Sequence, residues 1–123
     1  MNTNKNIVSG SATEPKTSST NDAVNPMVEG YRSPSVNTLQ HIYKLSVTED
    51  KPIMFDYWTS SLDKTSIIGV KKDTNEKLLV KSDEEYTSPI SRIFKVTNEY
   101  IIVTENSIYV VDVDIPRRLI EDI

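Results

Sequence analysis

The stretch EYIIVTENSIYVV, residues 99–111, constrains this chain more than any other, because it is strand-forming almost throughout. Residues 100–104 and 107–111 read as two antiparallel strands joined at Glu105-Asn106, and Asn106 is expected to supply the positive φ of a tight turn. Ile101 and Val103 fall on one face, Tyr100 and Ile102 on the other. Both faces are therefore apolar, which suits a central hairpin covered on both sides or a small closed barrel. Ile102 and Val110 are predicted to be buried.

The rest of the chain supplies the cover. In SPSVNTLQHIYKL, Val36, Leu39, Ile42 and Tyr43 recur at helical spacing. The spacing predicts one helix over residues 34–45, with Ser33 and Pro34 as cap and first-turn residue. A strand through Tyr43, Leu45 and Val47 is the competing reading. After Lys51 the period changes to two. PIMFDYWT, TSIIGVKK, KLLVKS and SRIFKV read as strands, separated by the loops SSLDK, DTNE and the acidic DEEY. Pro89 belongs at a strand's start or on an edge, and Gly69 inside a strand marks a bulge or a close backbone approach.

Composition divides the chain. Of nine aromatic residues (six Tyr, two Phe, one Trp), only Tyr31 precedes position 38. The first 32 residues are mostly Asn, Ser, Thr, Ala and Val, and they bury too little apolar surface to offset the entropy of ordering them. The reading is an extended arm over residues 1–33, a small α+β domain over 34–120 and a tail over 121–123. The fold class follows: a small antiparallel sheet or partly closed barrel of five to six strands with one N-terminal helix.

A net charge of −4 offers no global attraction to nucleic acid or anionic lipid, and the absence of cysteine excludes disulfides and thiolate chemistry. No apolar run approaches a membrane span or the core of a secretion signal, so an intracellular, non-secreted protein with no membrane association is expected.

Chemistry-bearing constellations are sparse. His41 is the single histidine, so a multi-histidine metal site cannot form, and a surface or capping role is expected for it. Asp83-Glu84-Glu85, and Asp112 with Asp114, lack calcium-loop spacing and read as solvated loop carboxylates. No serine or threonine has a recognisable base and orienting partner. Neither a catalytic residue, a metal site nor a cofactor is assigned.

Two sets of residues suggest binding instead. Tyr57 and Trp58 at a strand end, Tyr86, and the pair Arg117-Arg118 leaving the sheet into the tail form the candidate interface. The alternative role of Tyr57 and Trp58 is to close the end of the core. Lys71, Lys72, Lys77, Lys81 and Lys95, with Tyr86 or Trp58 alongside, are the candidate contacts of a single-stranded nucleic-acid-binding β module. Asp63, Asp73 and Glu76 lie among these lysines and weigh against it.

At KPIMFDYW, EKLLVKSDEEYTSPI and EYIIVTENSIYVV the chain is similar to small uncharacterised proteins of large nucleocytoplasmic double-stranded DNA viruses, over roughly residues 39–118. The resemblance implies a virion or infection-related protein with no catalytic residues to carry over. An arm on a compact β domain would then suit a minor capsid component that threads between capsid subunits. Taken together, the expectation is a non-enzymatic structural or interaction protein whose arm orders on binding a protein partner. The alternative is the nucleic-acid binder.

Overall fold

The computed structural model describes residues 31–121, so the predicted arm, up to residue 30, and the last two residues of the tail lie outside the described residues. Residues 33–121 belong to one compact unit. It has three layers, and the opening hairpin is the middle of the central one.

Helix α1 (Val36–Glu49) covers one side. Strands β1 (Ile53–Met54), β5 (Ile90–Val96), β6 (Glu99–Thr104) and β7 (Ile108–Asp112) form a four-stranded sheet in the order β1-β7-β6-β5. On its other side lies a second sheet, order β4-β3-β2-β8, of β2 (Ile67–Lys71), β3 (Lys77–Ser82), β4 (Glu85–Tyr86) and β8 (Arg117–Ile120). Alternation along β6 and β7 divides the core as expected. Ile101, Val103, Ile108 and Val110 pack against Ile42 of α1 and Trp58, while Ile102 and Val111 pack against Ile68, Leu79, Tyr57 and Ile115. Ile102 and Val110 are both fully buried.

The α+β class and the helix stand, but the single antiparallel sheet or partly closed barrel gives way to two mixed sheets. Strand β1 runs parallel to β7, with Ile53 opposite Ile108, and β8 runs parallel to β2, with Ile68 opposite Arg117. Each is a short outer strand brought in from a distant part of the chain, which no local period announces.

Three local differences have clear causes. First, α1 starts later and runs further than predicted. Ser35 occupies the cap position in extended backbone, and Asp50 ends the helix in the left-handed conformation (φ 55°), its N–H bonded to the Ser46 carbonyl. The Ser46 hydroxyl donates to the Lys51 carbonyl at 2.6 Å, and Pro52 follows. Second, PIMFDYWT leaves the sheet after Met54, and Trp58–Leu62 form a short helix α2 where a strand end and a loop were expected. Its hydroxyls satisfy local carbonyls, Ser61 donating to Trp58 O at 2.6 Å. The same Ser61 oxygen accepts the Asp112 N–H at 2.9 Å, which fixes α2 to β7. Third, Asn106 has no positive φ. The Thr104 side chain closes that turn instead, its oxygen accepting the N–H groups of Asn106 and Ser107 at 3.3 and 3.1 Å.

Gly69 permits the β2–β8 pairing. A Cβ there would stand 2.8 Å from Ile120 Cδ1 and 3.2 Å from Val80 Cγ2, closer than atoms pack. Gly69→Ala is expected to cost about 1 kcal/mol, at the low end for overpacking because the nearest atom ends a flexible side chain. Adding Ile120→Val, which removes that methyl, should recover most of the loss. Guanidinium unfolding midpoints of the three chains measure this, and no recovery in the double variant would contradict the packing.

Candidate functional site: a groove beside an open strand edge

Helix α1 crosses the central sheet over β6 and β1, so β5 projects past its flank. Thr38 and Ile42 point into the core, which turns His41 and Leu45 toward β5. Between them lies a groove of about 450 Å³ lined by His41 and Leu45 of α1, Phe94, Lys95 and Val96 of β5, and Ile101 of β6. Phe94 is 37 % exposed there, unusual for a large aromatic in a strand. At one end Arg92 pairs with Glu49 of α1, its guanidinium 5.7 Å from the centre of the Phe94 ring. The Arg92 hydrogen bond holds the Glu49 carboxyl below its ordinary range, and Lys51 adds to that from 3.6 Å.

The backbone of β5 completes the site. Val96 and Glu99 flank a two-residue turn at Thr97-Asn98 and are the first partners of the β5–β6 ladder. In such a turn the flanking residues exchange both hydrogen bonds. Alternation then turns the N–H and C=O of Phe94 and Arg92 inward to β6, and those of Ile93 and Lys95 outward. Among the described residues no strand pairs with that outer side. Thr97 takes a φ of 55°, rare for a β-branched residue, and the Asn37 amide donates to its hydroxyl at 3.3 Å.

Beneath the groove's far end, Glu99 is fully buried and accepts hydrogen bonds from Ser35 Oγ at 2.7 Å and Thr38 Oγ1 at 2.5 Å. These bonds tie the first turn of α1 to the start of β6, so they set the distance between helix and sheet along the groove.

The candidate interface residues predicted from sequence do not meet. Tyr57 and Trp58 are 3 % and 7 % exposed and close the two cores. Tyr57 stacks edge-on with Tyr109 at 5.6 Å, and burial raises both phenol pKa values. Tyr86 is exposed and shares a shallow hollow with Lys71 and Pro89. Arg117 and Arg118 do not leave the sheet. They begin β8, where the Ile68 N–H reaches the Pro116 carbonyl at 2.9 Å, and Arg117 lies over the Tyr100 ring.

The lysines also scatter. Lys71, Lys72 and Lys81 pair with Glu76, Glu121 and Glu85, and Lys81 lies 4.7 Å over the Tyr57 ring. Lys77 begins β3, while Lys95 belongs to the other sheet and lines the groove. Of the carboxylates read as solvated, Asp112 is 8 % exposed and opposite Glu99, its Oδ2 accepting the Asp114 N–H at 3.0 Å. Among the described residues no three potential ligands group as a metal site. No described helix is long and apolar enough to cross a membrane.

Sequence reasoning assigned no role to Leu45, Arg92 and Phe94, and it read His41 as a surface side chain. One signal pointed to them: two cations, Arg92 and Lys95, stand among large apolar residues in SRIFKV, as happens on sheet edges. Compared with known proteins, the chain matches no family model, no curated protein and no solved structure.

Proposed function

We propose that this chain is a non-enzymatic interaction protein that binds a protein partner through the groove between α1 and β5. The observation that carries this is the exposed Phe94 on the floor of an apolar groove beside a strand edge that no described strand pairs with. Backbone donors and acceptors next to an apolar pocket are what a peptide-binding sheet edge offers. The nucleic-acid alternative loses support because three of its five lysines are paired with the carboxylates of Glu76, Glu121 and Glu85. The minor-capsid form of the proposal rests on the viral resemblance alone, and an arm that orders on partner binding rests on the composition of the first 32 residues.

The test is affinity purification of the full chain from its native source beside Phe94→Asp, after melting curves show that both fold. A near-stoichiometric protein retained by the native chain and reduced about tenfold or more by Phe94→Asp is the expected result. Capsid subunits in that fraction would support the virion form. A partner retained equally by the variant, or nucleic acid as the sole co-purifying species, would overturn the proposal.

A further inference from the structure

We infer that the β5 edge binds an extended, acidic segment of a partner protein, added as a further strand of the central sheet with its alternate apolar side chains in the groove. This rests on the interaction reading above and specifies the chemistry of the occupant.

Three features select an extended strand over a helix. The outward N–H and C=O groups of Ile93 and Lys95 make four potential ladder bonds, which only extended backbone satisfies in series. The bulge between Ile90 and Arg92 breaks the register, so regular pairing is confined to residues 92–96 and the added strand spans about five residues. Beside that stretch, Phe94 and Val96 point to the α1 side, where Leu45 forms the opposite wall. An added strand's side chains on that side fall between helix and sheet, one every second residue.

Charge selects the acidic character. The protein carries 18 carboxylate residues and a net charge of −4, yet none of those carboxylates lines the groove. On the α1 side its titratable lining is His41, with Arg92 at the end held by Glu49. Lys95, opposite Tyr100 and alternating with Phe94 and Val96, carries its charge on the other face of the same edge. A carboxylate at a position of the added strand that faces away from α1, between its groove-seated apolar residues, therefore lies across the edge from Lys95. A second copy paired through the same edge would instead double the cations along the seam and bring no lining carboxylate to balance them.

The test is selection of displayed random heptapeptides on the full-length protein, followed by affinity measurement of the enriched sequences as free peptides. The expected pattern is apolar residues at alternate positions with at least one Asp or Glu. Affinity should fall about tenfold or more with Phe94→Asp in the protein, with Lys95→Glu, and with N-methylation of alternate peptide amides. The unmethylated peptides should shift the amide resonances of Ile93 and Lys95.

Peptides that tolerate methylation of every amide, or that bind as helices, would overturn strand addition. If the native partner were still lost with Phe94→Asp, the interaction reading would survive that result. A native partner indifferent to Phe94→Asp would sink both. Concentration-dependent dimerisation abolished by Phe94→Asp would assign the edge to a second copy. Because the chain has no cysteine, a single spin label at Thr20→Cys also tests for its own N-terminal segment. Broadening of the Ile93 and Lys95 amides in the monomer would give the groove to that segment and overturn the partner assignment.

Discussion

Ile102→Ala should destabilise the protein by about 2–5 kcal/mol, the largest effect expected of a single truncation here. Ile102 is 0 % accessible and lies between the two sheets, away from the helix, with Ile68, Leu79, Tyr57, Val111 and Ile115 around it. Strands from two sheets form those walls, and their ladders keep them from closing on a void. The loss therefore includes a cavity term beyond the transfer of the removed atoms. A domain of this size holds only about 5–15 kcal/mol in all, so the melting temperature should fall by about 10 °C or more. The single tryptophan, Trp58, is buried beside the other core and reports unfolding by fluorescence. Guanidinium unfolding followed at Trp58 and by circular dichroism should give one shifted midpoint. A loss below about 1 kcal/mol would mean that the sheets do not pack through Ile102.

The second large effect is expected at Thr38. Its side chain is fully buried, donates to Glu99 Oε1 at 2.5 Å and lies 3.1 Å from the Val96 carbonyl. One hydroxyl carries one hydrogen, and the shorter contact places it on the carboxyl. Thr38→Val keeps the shape and removes that donor from a group water cannot reach, at a cost of about 1–3 kcal/mol. Ser35→Ala removes a donor from a half-buried position, so its cost should be smaller. The Ser35 and Thr38 oxygens stand 2.9 Å apart on the same carboxyl oxygen, so the two losses should not add. Equal and additive losses in a double-mutant cycle would show that Glu99 does not link the two. Because Glu99 holds α1 at its N-terminal end, Thr38→Val should also weaken groove binding, measurable with the selected peptides.

How far the residues alone led is clearest at the hairpin. Residues 99–111 carry apolar side chains on both faces, and that pattern required a covered, central position, which β6 and β7 occupy. The spacing of Leu39 and Ile42 announced the helix. Its last turn was obscured because Ser46, Val47 and Thr48 are weak helix formers that also suit a strand. Strands β1 and β8 were misread for a different reason. Two residues pairing with β7, and four pairing with β2 across a long sequence separation, leave no period to detect. Tyr57 and Trp58 looked like recognition residues because their burial depends on α2 turning them inward.

The groove lay furthest from view. Its walls come from separate elements, and its depth depends on where α1 crosses the sheet. Only the two cations set among the apolar residues of SRIFKV signalled that β5 would be an edge.

The open edge of β5 is tested most directly by amide hydrogen exchange, residue by residue, on the free full-length protein. With Ile93 and Lys95 facing outward and Arg92 and Phe94 bonded to β6, protection should alternate along residues 92–95. The first pair should exchange fast and the second slowly, and Ile101 to Val103 of β6 should be the slowest of all. Binding of a selected peptide should then slow Ile93 and Lys95 while leaving Phe94 little changed. Uniform strong protection of residues 92–95 in the free monomer would mean that the edge is already paired, and the site described here would not exist.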